Sequence, residues 1–351
     1  MASSNKAPKI LYAVQGTGNG HVARAREIIP MLQSFGEVDV LLSGDQSNVK
    51  LPVPIKYRSK GLTFIYNRHG GLSYWHTLMK NNLWRIWREL RHFPVTEYDL
   101  VINDFEFISA WACRWQGKEC ISLGHQAAFN SKKVPRPLKN DRLGELVLRY
   151  YAPGSKTIGF HFKAYDQGIY PPVIRSEIRA LRPENHGHYC VYLPAYGDDE
   201  LQQSLQRISN RKWQVFTRYS KRRYQIKNVE FIPVNNRDFL ESLRTCEGLL
   251  TSAGFESPAE ALFLGKKVFV VPIAGQYEQF CNAAALKDFS VPCALSLNDK
   301  AIKHLAHWVY EGKAQKINFP DLTMEILKKE IFKQKVTKEE GEHEKFSQRV
   351  Y

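Results

Sequence analysis

Two residues in the first third of the chain have the side chains and settings for proton transfer. His21 closes Gln15-Gly-Thr-Gly-Asn-Gly-His21, a loop with glycines at 16, 18 and 20. Alternating glycines let the backbone turn tightly and approach a ligand. An imidazole at the end of such a loop can take a proton near neutral pH. The spacing departs from G-x-G-x-x-G, since His21 stands where the third glycine would be. Asp104, in Asp99-Leu-Val-Ile-Asn-Asp-Phe-Glu106, ends an apolar run. A carboxylate there can hydrogen-bond the imidazole, fix its tautomer and stabilise the imidazolium. Its other reading is a cap for a helix starting near Glu106. His125, in Leu123-Gly-His-Gln126, reads as a polar lining residue rather than a catalyst.

A third pattern lies in the second half: Thr251-Ser-Ala-Gly-Phe-Glu-Ser-Pro-Ala-Glu260, then Val271-Pro272, then Gln276-Tyr-Glu-Gln-Phe-Cys-Asn282. A strand ending at Thr251, a turn through Ser252 and Gly254, and Pro258 near a helix start together predict a helix N-terminus. The amides of Phe255, Glu256 and Ser257 would face an anion there. Glu260, one turn further on, is placed to accept from paired ribose hydroxyls. Gln276, Gln279 and Asn282 are uncharged donor-acceptors of the kind that read sugar hydroxyls. The competing reading is ordinary capping with exposed amides.

The elements that would hold these groups alternate between short apolar runs and amphipathic stretches, the pattern of parallel sheets with crossover helices. Strands are predicted at 9–14, 38–43, 62–66, 99–103, 119–123 and 156–162, with helices at 22–34, 74–92 and 106–116. Glycines and prolines between 163 and 187 break the rhythm and predict an interdomain connection. Strands then recur at 188–193, 212–217, 229–233, 248–251 and 267–271. Helices are expected at 198–208, 237–244, 257–264, 276–288 and 299–310, with a last one at 321–335 before a charged end.

At 351 residues the chain is long enough for two domains, and its 43% apolar and 24% charged content is that of a globular protein. No apolar run reaches the length of a membrane span, no leader-like segment opens the chain, and the six cysteines form no CxxC pair. A cytoplasmic protein with core thiols and no metal is expected. The net charge is +15, and residues 1–150 hold 21 basic against 12 acidic residues. Such an excess suggests an anionic partner.

Together, the Gly-rich loop ending in His21, the Asp104-Phe105 pair, S-x-G-x-x-S-x-x-E from Ser252 to Glu260, and the later Pro and Gln residues resemble GT-B glycosyltransferases. Family 28, with the peptidoglycan N-acetylglucosaminyltransferase, is the most similar group. The resemblance covers about residues 9–290. It implies an α/β fold of two Rossmann-like parallel-sheet domains facing a central cleft. Residues 1–165 would be an acceptor domain and 166–320 a nucleotide-sugar domain, followed by a helix and charged tail at 321–351. It implies inverting, metal-independent transfer from a nucleotide-diphosphate sugar, with UDP favoured, to a hydroxyl acceptor. His21 would be the base and Asp104 its partner, with His125 on the acceptor side. Gly18, Gly20 and Ser252 would bind the donor, with Gly254 and the amides of Phe255, Glu256 and Ser257 at its diphosphate, Glu260 at the ribose, Gln276 and Gln279 at the sugar, and Phe231 and Ile232 at the base. One departure is Leu193-Pro-Ala-Tyr-Gly-Asp198, where the family often has a Gly-Ser-rich loop. The nucleotide-sugar is a substrate, so no cofactor is implied.

Two rivals remain: a sugar-nucleotide 2-epimerase of the same fold, which needs no acceptor, and a non-catalytic binder of nucleotide-sugars or polyanions. In 83–93, Leu83, Ile86, Trp87 and Leu90 share one helix face beside Arg85, Arg88 and Arg91. This reads as a core-packed helix with a solvated basic edge, or as peripheral contact with an anionic membrane at its inner face. The basic, aromatic stretch Arg218–Tyr224 has no nucleic-acid signature beside it, and nucleic acid is not an expected partner.

Overall fold

The computed structural model describes residues 7–17, 19–44, 51, 53–62, 82–139 and 141–333. The chain forms two compact units: Met1–Val134 with Asp141–Val173 and Pro320–Tyr351, and Pro135–Asn140 with Ile174–Phe319.

The first unit is built on a seven-stranded sheet. Its strands are β1 (Lys9–Gln15), β2 (Glu37–Ser43), β3 (Tyr57–Ser59), β4 (Leu100–Asp104), β5 (Ile121–Gly124), β6 (Lys156–Phe160) and β7 (Ile169–Tyr170). They lie in the order β3-β2-β1-β4-β5-β6-β7, all parallel. Central β1, Lys-Ile-Leu-Tyr-Ala-Val-Gln, is buried from Ile10 onward, as a strand covered on both faces must be. The sheet order reverses at β1, whose neighbours are β2 and β4. In open α/β sheets the crevice at the carboxyl ends of such strands receives ligands.

The second unit contains β8 (His188–Tyr192), β9 (Lys212–Thr217), β10 (Tyr224–Ile226), β11 (Val229–Pro233), β12 (Gly248–Thr251) and β13 (Lys267–Val270). Their order is β10-β11-β9-β8-β12-β13, with only the β10–β11 pair antiparallel. Here the order reverses at β8, between β9 and β12. The core gathers Tyr189, Trp213, Phe231 and Phe269 from the sheet with Leu305 and Trp308 of the helix Asp299–Glu311.

The units divide after Val173 rather than after residue 165, because β7 still pairs with β6. The segment from Pro320 belongs with the first unit instead of standing apart. There Phe332 stacks on Phe35 at 4.0 Å, and Glu330 accepts from the Tyr170 hydroxyl at 2.8 Å. Strand β3, β7, β10 and the helix Arg142–Tyr150 carry little pattern of their own and escape sequence reading. Residues 63–66 of the predicted strand at 62–66 and the first part of helix 74–92 lie outside the described residues, as does the charged end beyond residue 333. No helix among the described residues is long and apolar enough to cross a membrane.

Candidate active site

The first helix starts at Asn19, so His21 stands in its first turn rather than at a loop end. Gly20 lies beside it in that turn, and Gly18 lies outside the described residues. Gly16 is dictated by packing: a Cβ there would come within 2.9 Å of the Leu42 side chain and 3.0 Å of the Gly44 carbonyl.

Asp104 ends β4, next to β1 in the sheet, and this adjacency brings it to His21. His21 Nδ1 lies 2.8 Å from Asp104 Oδ1. A carboxylate oxygen only accepts, so Nδ1 carries the proton and Nε2 keeps its lone pair. Arg24, one turn after His21, grips the same carboxylate with both arms, Nε to Oδ2 at 3.0 Å and Nη2 to Oδ1 at 2.7 Å. Asp104 is fully buried. Burial works to raise its carboxyl, but Arg24 and then His21 outweigh it and hold it at about 2.

Asp104 does not cap the following helix. Glu106 does, accepting the amides of Ile108 at 2.8 Å and Ser109 at 2.6 Å. Burial pushes the Glu106 carboxyl upward. Between the two acids Phe105 adopts φ 54°, a left-handed conformation that an aromatic residue rarely takes. Asn103 holds this turn closed, accepting the Glu106 amide at 3.0 Å and donating to its carbonyl at 2.6 Å. The Phe105 ring then lies parallel to His21, with centroids 6.2 Å apart.

In the second unit, β12 leads through Ser252, Ala253 and Gly254 into the helix Glu256–Phe263, with Phe255 at the N-cap. Phe255 gives no side-chain cap to this N-terminus. A Cβ built on Gly254 meets nothing within 4 Å, so this turn borders open space. Asn282 fixes the turn from behind, donating to the Ala253 carbonyl at 3.1 Å. Gln279 accepts the Ile273 amide at 3.0 Å and donates to Gln276 at 2.8 Å, so the two glutamines are pre-oriented as a pair. Ser257 follows Glu256 in the first turn of the helix, and Glu260 sits buried in the second.

The family model for glycosyl transferase family 1 matches residues 8–311, which takes in both of these sites. The chain belongs to that family. Its fold is that of solved glycosyltransferases. Arabidopsis thaliana UGT89C1 complexed with UDP is 14% identical with a TM-score of 0.58, over 98% of this chain and 99% of that one. The glycotransferase of kitacinnamycin is 12% identical with a TM-score of 0.54, over 88% and 90%. Phytolacca americana UGT2, complexed with UDP-2fluoro-glucose and pterostilbene, is 14% identical with a TM-score of 0.51, over 99% and 94%. No curated protein matches at the sequence level.

Within this glycosyltransferase two expectations meet different surroundings. Phe231 is fully buried and stacks on Tyr224 at 4.8 Å inside the core, so its side chain does not line an open base pocket. Its neighbour Ile232, on the opposite face of β11, lines a cleft of about 510 Å³ with His188, Gln214 and Glu230. His125 is 1% exposed, and its Nδ1 donates to the Phe160 carbonyl at 2.9 Å. Its neighbour Gln126 instead reaches His21, with Nε2 3.5 Å from the imidazole Nε2.

Two partners of the candidate site residues escape the sequence. Arg24 had one available signal, its i+3 spacing from His21 on a helix. Arg175 had none. Its Nε and Nη2 hold both oxygens of Glu260, at 2.5 and 2.8 Å, while Nη1 donates to Glu177 at 2.5 Å and to Asn236 at 3.1 Å. Burial disfavours the Arg175 charge, but Glu260 outweighs it and raises its affinity for the proton.

Proposed function

We propose that this glycosyltransferase is an inverting enzyme that moves a sugar from a nucleoside-diphosphate donor to a hydroxyl acceptor without a metal. The observation that carries the reading is the His21–Asp104 pair at the strand-order reversal of the first unit, with Nδ1 committed to the carboxylate. His21 Nε2 takes the proton of the acceptor hydroxyl as that oxygen bonds to the anomeric carbon. The bond from the anomeric carbon to the diphosphate breaks, and its electron pair leaves with the nucleoside diphosphate. Attack opposite the leaving group inverts the anomeric centre.

The donor is assigned to the second unit, with its diphosphate by Gly254 and the first amides of Glu256–Phe263. Those dipoles meet the charge that develops on the leaving group. Both acids of the Asp104-Phe105-Glu106 stretch already have other duties, one on His21 and Arg24 and one as a helix cap, which favours amides over a metal. Glu260 is assigned to the ribose, Gln276 and Gln279 to the sugar, and His125 to the acceptor side as a buried support. UDP is the proposed nucleotide, since two of the structural neighbours are described with UDP or a UDP-sugar bound.

The test is a thermal-shift panel of UDP, GDP, dTDP and ADP, each with magnesium and with EDTA. Saturation at 100 times Kd adds ~2.7 kcal/mol. Stabilisation by UDP alone, unchanged by EDTA, is expected. A panel with no shift overturns the donor assignment.

Peripheral contact with an anionic membrane, at the inner face in a cytoplasmic setting, is a second inference. The helix Leu83–His92 buries Ile86 but leaves Trp84 67% exposed, stacked on Trp87 at 4.8 Å with Arg91 over the Trp87 ring. Leu143, Leu146 and Tyr150 form a second exposed stripe on Arg142–Tyr150.

A further inference from the structure

We propose that Arg24 is a positioning residue that carries the charge balance of Asp104, so that His21 keeps its proton on Nδ1 and leaves Nε2 unprotonated. The inference rests on the reading of His21 as the base.

A two-member His–Asp pair has a built-in conflict. A buried carboxylate beside an imidazole favours the imidazolium, and an imidazolium cannot accept a proton. The first unit resolves the conflict with a third group. Arg24 is 2% exposed and Asp104 fully buried, and the guanidinium fork engages both carboxylate oxygens. Oδ1 is shared, accepting Arg24 Nη2 at 2.7 Å and His21 Nδ1 at 2.8 Å. The two nitrogens are 3.1 Å apart, so a second positive charge on the imidazole would sit directly against the guanidinium. The fork also sets the carboxylate plane. Rigid, always charged and bidentate, it does what a lysine could not.

The surroundings are shaped for this cluster. Gly124 ends β5 beside it, and a Cβ there would fall 2.7 Å from Asp104 Oδ1 and 3.3 Å from Arg24 Nη2. Its backbone is extended, so the glycine is explained by space and not by conformation. Around His21, Arg24 comes from its own helix, Asp104 and Phe105 from the end of β4, and Gln126 from the short helix His125–Ala128. Tyr12 of β1 reaches Asp104 Oδ2 at 3.5 Å. Asp104 is the one acid among these groups, and Arg24 is the cation that meets it.

The test is a pH titration of the His21 ring by histidine-selective NMR in the full chain, with His21→Gln to assign the signal. In Arg24→Met the midpoint is expected to rise by ~1 unit or more, since His21 becomes the remaining cation for the buried carboxylate. In Arg24→Met/Asp104→Asn, where both charges are gone, the rise disappears. Gly124→Ala keeps every charge but wedges the pair; a smaller rise is expected there, and it is the readout should Arg24→Met not fold. A midpoint in folded Arg24→Met or Gly124→Ala equal to that of the unmodified chain overturns the proposal. Failure of the base reading shows elsewhere: full turnover by His21→Ala would remove it while leaving the titration unaffected.

Discussion

His21 is 15% exposed at its side chain while its partners Asp104 and Arg24 are buried, so the imidazole is the part of the cluster nearest to solvent. That arrangement suits a group that must meet a substrate while its orienting charges stay in a medium of low dielectric. His21→Ala is therefore expected to lower kcat by ~10²–10⁴ and leave UDP affinity unchanged. Release of UDP from a donor sugar, measured beside UDP binding, checks both halves. The Asp104 carboxyl also has a consequence for stability. Held at about 2 against an ordinary 3.8, it contributes above the ordinary value, and the contribution fades as pH falls from about 4 towards 2. A two-unit depression is worth ~2–3 kcal/mol. Urea midpoints at pH 5 and pH 2.5 should thus fall further for the unmodified chain than for Arg24→Met/Asp104→Asn. Equal losses would show that the cluster does not drive the acid sensitivity.

The helices that follow β8 and β12 present opposite chemistry to an anion. Asp198–Leu205 opens with Asp198, Asp199 and Glu200, and Asp198 is engaged by Thr217 at 2.5 Å and Tyr224 at 2.7 Å. Three carboxylates over the positive end of a helix oppose a diphosphate there. Glu256–Phe263 has one acid in its first turn and the open Gly254 turn before it. This contrast favours the proposed placement of the diphosphate after β12 over one after β8, where the chain departs from a Gly-Ser-rich loop. Within that element Glu260 is locked by Arg175. Each oxygen retains a second lone pair, so the fork can orient the carboxylate for a ribose diol. Arg175→Met is expected to weaken UDP by ~10-fold, equivalent to ~1.4 kcal/mol, and to shrink the preference for UDP over dUDP. Calorimetry with both nucleotides decides it. Tighter UDP binding by the variant would mean that Arg175 obstructs the ribose instead.

Over the whole chain, positive charge and exposed aromatic surface coincide in residues 1–150, most of which belong to the first unit. Residues 1–150 account for nine of the fifteen excess positive charges, and the Trp84–Trp87 stack with Arg91 lies within that stretch. Tryptophan with arginine favours a membrane interface, where the ring is half-solvated and the cation meets headgroups. Cosedimentation with anionic liposomes is expected at low salt and should fall at high salt, as should binding by Trp84→Ser/Trp87→Ser at low salt. Binding that ignores both salt and these residues would reject the assignment. The segment from Pro320 returns to the same unit, where Lys156 and Tyr170 hold Glu330. A charged, weakly periodic stretch gives no local sign of such docking.

The features legible in the sequence were those encoded by neighbours along the chain. The Gly-rich turn into a helix, the Gly254 turn before Pro258, and the continuous apolar run of β1 all follow from local backbone chemistry. His21 and Asp104 were legible as candidates because strand ends in α/β sheets converge. The helix start at Asn19 was not, and it is what puts His21 and Arg24 on one face. Arg24 meets Asp104 across 80 positions and Arg175 meets Glu260 across 85, so both pairings depend on strand order and burial. Phe231 was implied by the resemblance alone, and the packed sheet, which decides which face of a strand is core, buries its side chain. Residue types supplied the chemistry of this glycosyltransferase. The tertiary structure decided which charges are balanced, because only burial and the adjacency of distant strands make one buried group answer to another.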